Sequence, residues 1–129
     1  MANWFQRQFF ARFAVRDVRK TIRAVKTLPA AVEHVVALRL AERIHQDQLR
    51  LSEAPNQDQV LRELLMRVSA DRHRALVAGA RSWDDPEWAV AALEEAWLMG
   101  LSGALGKAAE KQINKAIKAF IDHSAHPFG

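Results

Sequence analysis

The chain contains no cysteine. Disulfides, thiol nucleophiles and every cysteine-based metal site are therefore excluded. Their absence is compatible with a reducing cytoplasm, and a cytoplasmic protein able to sit at the periphery of a membrane is expected. Long apolar runs are also missing. The longest stretch without a charge is Ala96–Gly106, 11 residues between Glu95 and Lys107, whereas a spanning helix needs about 20. Near the start, Arg7 and Arg12 break up the aromatic residues, so no secretory leader is expected. An Arg-rich, acid-poor beginning of this kind also has the character of an organellar transit peptide. Proline is confined to positions 29, 55, 86 and 127 and glycine to five positions in 129 residues. Period-two alternation of β-branched and aromatic residues is absent, which removes the signature of a sheet.

What remains is helical. Ala, Leu, Arg, Glu, Gln and Lys dominate, and these are strong helix formers. Half of the residues are hydrophobic and 26% are charged, enough apolar surface to offset the entropy of ordering a single core. The prolines divide the pattern into segments. The sequence predicts an all-α, single-domain helical bundle of four to six helices with a long, kinked C-terminal helix. A basic aromatic helix is expected over 1–28, with further helices over 29–52, 56–80 and 86–123.

Each segment carries its own signals. In the first, Asn3 can cap the start. Phe5, Phe9 and Phe13 share one face, and Val15, Val18, Ile22 and Val25 form a second stripe nearly opposite. Val32, Val36, Leu40, Ile44 and Leu51 give the second helix its core face. Asn56 and Gln59 form a capping-box pattern before Leu61, Leu64, Leu65, Val68, Ala75 and Leu76. Arg72 falls inside that third stripe. It implies a break at Ser69, a contact with an acid, or an interface. In the turn RSWDDPEW, Asp84 or Asp85 caps a helix opened by Pro86 and Glu87.

The stretch MGLSGALGKA holds Gly100, Gly103 and Gly106. A phosphate loop of the Walker type needs four residues between its glycines, a Ser or Thr after the lysine, and a preceding strand. Here five residues separate Gly100 from Gly106, Ala108 follows Lys107, and a helix precedes. Two structural roles remain. Ala92, Ala96, Gly100, Ala104 and Ala108 recur every four residues and would admit a close neighbour. The apolar face also changes side, from Leu93, Ala96, Trp97, Gly100 and Leu101 to Leu105, Ala109, Ile113, Ala116, Ile117 and Phe120. A straight helix cannot bury both faces on one neighbour, so a joint is expected at the glycines. Left straight, its lysine-bearing second half would pack on another subunit.

Candidate chemistry is thin. Glu42 and His45 have the i, i+3 spacing of di-iron bundles, but those sites need two such pairs. Asp122, His123 and His126 lie close enough in sequence to suggest zinc ligands at a fraying end. LRELLMRVSADRHRALV lacks the glycine-containing turn of a helix-turn-helix. No nucleophile-elbow motif occurs, and neither an enzyme activity nor a cofactor is expected.

Charge is distributed unevenly. Residues 1–28 hold seven basic groups against Asp17 alone, whereas residues 82–129 hold four lysines against seven acids. Arg12, Arg16, Arg19, Arg23 and Lys26 repeat at four and three, forming one basic stripe. The leading expectation is a self-associating interaction or adaptor protein. Its stripe, beside Trp4, Phe5, Phe9, Phe10 and Phe13, would engage an acidic protein surface or an anionic membrane face. The acids Asp84, Asp85, Glu87, Glu94 and Glu95 of another copy would be one such surface. The alternatives are a nucleic-acid binder contacting phosphates and a metal-binding helical bundle.

Overall fold

In the computed structural model the chain is described for residue 20 and residues 23–79 and 85–124. These residues form five helices: α1, described at residues 23–26, then α2 (Ala30–Glu53), α3 (Gln57–Val77), α4 (Pro86–Leu101) and α5 (Lys107–Ser124). No helix among them is long and apolar enough to cross a membrane.

The starts of α3 and α4 follow from side-chain chemistry. The first N–H groups of a helix have no intrahelical acceptor. Asn56 Oδ1 accepts from the Gln59 amide at 3.2 Å, and Asp85 Oδ1 accepts from Glu87 and Trp88 at 2.9 and 3.3 Å. Pro86 then takes the first turn of α4, where its missing N–H costs nothing. At the other end of α3, Gly79 follows the cap residue Ala78 with φ +96°. That left-handed conformation ends a helix and suits glycine.

Helix α4 is the centre of the bundle. It buries ten of its sixteen residues, from Ala89 through Gly100. A helix apolar on every side must be covered on every side, and α2, α3 and α5 all pack against it. Val36 and Leu40 come from α2, Leu64 and Val68 from α3, and Ile113, Ile117 and Phe120 from α5, all in one core with Leu93, Trp97 and Leu98 of α4. Val25 and Leu28 join the same core from α1 and the turn after it. The far end of α5 is tied to the start of α2. The His34 ring donates from Nδ1 to the Ser124 carbonyl at 2.8 Å, and Ser124 Oγ donates to Glu33 at 2.8 Å.

One expectation is corrected. The region 86–123 is not a single kinked helix but two helices separated by a turn. Gly103 and Gly106 have φ +77° and +79°, values an α-helix cannot contain, and Ser102 Oγ accepts from the Ala104 amide within the turn. The chain therefore leaves α4 at Leu101 and returns as α5 with a new apolar face. Gly100 has a different part. It lies inside α4, where a Cβ would stand 3.4 Å from Ile113 Cγ2 and 3.5 Å from Glu110 Cγ. Of the small-residue series, Ala92, Ala96 and Gly100 are buried, whereas Ala104 and Ala108 are exposed.

The three glycines should respond differently to alanine. A Cβ on Gly103 or Gly106 meets nothing within 4 Å, so its cost is conformational, about 1–2 kcal/mol at each site. Gly100→Ala removes a helix-interior glycine worth about 1 kcal/mol and adds one snug contact, leaving stability within about 1 kcal/mol of wild type. Urea denaturation of the three variants checks that order, and a Gly100→Ala loss larger than the other two would contradict it.

Candidate functional site

The core stripe of α2 runs Val36, Leu40, Ile44, Leu51, and between the last two it contains an acid. Asp47 falls on that stripe and is 0% exposed. On α4 the buried series contains Glu94, which is 1% exposed. On α3, Arg67 sits next to Val68 and three residues after Leu64, close enough to the core face to reach inward. Its guanidinium joins both acids: Nη1 donates to Asp47 Oδ1 at 3.2 Å, and Nη2 donates to Glu94 Oε2. Each of three helices thus contributes one charged group to a single buried cluster.

A second tier lies towards solvent. Asp71, one turn after Arg67 on α3, is 4.0 Å from Arg67 Nε and 3.8 Å from Arg43 of α2, and it accepts from Arg74. A cleft of about 800 Å³ opens above these groups. Arg39 and Arg43 stand on its α2 wall, Asp71 and Arg74 on α3, and Glu87 and Glu94 on α4. The lining offers guanidiniums, carboxyls and one amide, Gln46. Among the described residues no hydroxyl or imidazole faces it.

One guanidinium cannot neutralise two buried carboxylates. Burial removes the water that would otherwise stabilise charge, and this is the largest influence on Glu94. A hydrogen bond with Asp47 and the like charge of that residue act in the same direction. Arg67 and Arg43 oppose them without cancelling them, and the Glu94 carboxyl is pushed up from 4.5 to about 7. Asp47 Oδ2 has no hydrogen-bond donor among the described residues. A neutral carboxyl at Glu94 gains an O–H and with it the capacity to donate.

Two further arginines of α3, Arg72 and Arg74, are also engaged. Arg72, the charge inside the third stripe, reaches an acid: Nη1 bonds to Glu95 Oε1 at 2.5 Å, and the guanidinium lies over the Trp88 ring, 4.9 Å from its centre. The acidic series expected to serve another copy is thus largely used within the chain. Glu94 binds Arg67, Glu95 binds Arg72, and Asp85 caps α4. Asp84 lies outside the described residues.

The basic stripe is described only at its end. Arg12, Arg16 and Arg19 lie outside the described residues, as do Trp4, Phe5, Phe9, Phe10 and Phe13. Arg23 and Lys26 are exposed. Glu42 and His45 are both exposed, as are Asp122 and His123, and His126 lies outside the description. Among the described residues no three His, Asp or Glu side chains gather as a metal-binding group. The structure therefore brings together Asp47, Arg67 and Glu94, which the sequence pattern had not singled out as a site.

No protein-family model matches the chain, and no curated protein and no solved structure matches it.

Removing Arg67 should expose the balance in the cluster. Breaking a buried ion pair by losing one partner costs about 3–5 kcal/mol. Arg67→Met should lose that much near pH 8, and less near pH 5 where Glu94 is neutral. Glu94 has its own linkage. Its proton is held more tightly in the folded chain, so its stabilising contribution is complete below about 4.5 and is lost as pH rises through about 7. Relative to wild type, Glu94→Gln should show a shallower fall in stability over that interval, on the order of 3 kcal/mol at most. Thermal or urea unfolding across pH measures both, and parallel wild-type and Glu94→Gln profiles would contradict the second.

Proposed function

We propose that the chain is a non-enzymatic interaction or adaptor protein that engages an acidic protein surface through its basic N-terminal helix. The observation supporting this reading is the division of α1 and the turn after it. Val25 and Leu28 are buried in the common core, while Arg23 and Lys26 face solvent. The segment is thus anchored by its apolar side with its basic side outward. Among the described arginines elsewhere, Arg43, Arg50, Arg67, Arg72 and Arg74 have an acid within 4.0 Å, while Arg39 and Arg62 have none among the described residues. Residues 1–28 contain seven basic groups and only Asp17 to offset them. A surplus of this kind favours an anionic partner.

An anionic membrane face is the neighbouring reading. A helix lying on lipid inserts its apolar side into the acyl boundary, and at Val25 and Leu28 that side is occupied by the protein core. Recognition by charge alone therefore fits the described end of the stripe better. Self-association belongs to the same proposal. Val35, Leu38 and Leu49 share an outward face of α2 with the exposed Glu42 and His45, a mixed face that a second copy would cover.

Charge reversal separates these readings. Arg16→Glu, Arg19→Glu and Arg23→Glu together should lower capture of acidic proteins from the native host by at least about tenfold, with helicity by circular dichroism unchanged. Equal capture by wild type and variant would sink the proposal. Flotation with anionic vesicles and a mobility shift with duplex DNA at two salt concentrations report the membrane and nucleic-acid alternatives. Phosphate contacts lose affinity steeply with salt. Light scattering gives the oligomeric state.

A further inference from the structure

The buried cluster has no part in the basic-helix reading, yet it places two carboxyl groups at 0% and 1% exposure. Asp47 and Glu94 are both shut off from water, come from different helices, and meet across the α2–α4 contact. A single guanidinium, Arg67 from α3, joins them. Asp47 Oδ2 and Arg67 Nε have no hydrogen-bond partner among the described residues. Buried polar atoms are almost always satisfied; Asp47 Oδ2 lacks a donor, and Arg67 Nε, itself a donor, lies 4.0 Å from Asp71. Glu94 also lines the cleft, which gives water and protons a route to its carboxyl.

Among the described residues, charged groups face the pair from every packed helix. From α2, Arg43 acts on Glu94 along with Asp47, and Arg39 and Glu42 stand on the cleft wall. From α3 come Arg67, and in the outer tier Asp71 and Arg74. On α4 itself, Glu87 lines the cleft and Glu95 is held by Arg72. From α5, Glu110 packs at Gly100, about 9 Å along the axis from Glu94. Arg43 and Arg74 are substantially solvated, with side chains 41% and 74% exposed. Screening weakens them as counter-charges, and Arg67 carries the interaction.

We propose that Asp47 and Glu94 share one proton as a latch between α2 and α4, and that its loss opens the cleft formed by α2, α3 and α4. In the latched state Glu94 donates to Asp47 Oδ2, while Arg67 holds the other oxygens of the pair. When the proton leaves through the cleft, two like charges face each other across a helix contact. Arg67 cannot satisfy both, and water enters beside Glu94. The bundle then has two states distinguished by one proton, the pattern of a pH-responsive device.

Two measurements on the full chain test this. With carboxyl-labelled glutamate, NMR should show Glu94 titrating near 7, where its raised value places it. Amide exchange over residues 90–98, corrected for intrinsic base catalysis, should speed up by at least about tenfold as pH passes that point. Glu94→Gln should keep the same corrected protection on both sides. Asp47→Asn removes the like charge but leaves the burial, so it should lower the pH at which Glu94 titrates and move the exchange transition down with it. If Glu94→Gln fails to fold, the wild-type titration and Asp47→Asn decide the matter. Titration of Glu94 in the ordinary range, or corrected exchange that is flat with pH in wild type, would overturn the latch.

Discussion

A helix with no solvent face sets the terms for the rest of this molecule. Helix α4 is apolar nearly all round, so the chain can fold only by laying other helices against each of its sides. α2, α3 and α5 do so, and their cores are drawn from residues that point at α4. The same constraint creates the polar cluster. Glu94 lies among the buried residues of α4 and is 1% exposed, at the edge of the cleft. Its charge must be met from within the protein, by Arg67 of α3 and Asp47 of α2. The packing of α4 and the chemistry of the cleft are therefore one problem with one solution.

Much of the architecture is legible in the residues. Asn56, Asp85 and Pro86 mark helix starts because they answer a local need, the unpaired N–H groups of a first turn. Val36, Leu40, Leu64, Val68, Ile113, Ile117 and Phe120 announce buried faces by their spacing. The switch of apolar face around Gly100–Gly106 locates a joint. Spacing cannot say whether such a joint bends or breaks the helix, because that depends on the sign of φ at Gly103 and Gly106. Gly100 looks the same in sequence but lies inside α4, buried against α5, where a Cβ would make ordinary contact.

The cluster was harder to read. Acids and arginines on helices are mostly solvated, so Glu94 and Glu95 read naturally as part of an acidic surface beside Asp84, Asp85 and Glu87. Only the partners, twenty or more residues away in sequence, show that they turn inward. One local signal was present. Asp47 occupies a position where the four- and three-residue rhythm of Ile44 and Leu51 calls for an apolar side chain. Arg67, between Leu64 and Val68, marks the matching edge on α3. A charge at a core position of one helix and an opposite charge at the edge of the next is a pattern that points to a buried pair.

The position of α4 in the chain has a consequence for synthesis. It follows α2 and α3, so during translation those two helices leave the ribosome before the surface that buries them exists. Val36, Leu40, Leu64 and Val68 remain wet, and Asp47 and Arg67 have no Glu94 to meet. The tie between His34 and Ser124 spans 90 residues and must wait until α5 has been made. The complete set of contacts around α4 therefore becomes available only after α5, the last helix described, has been made.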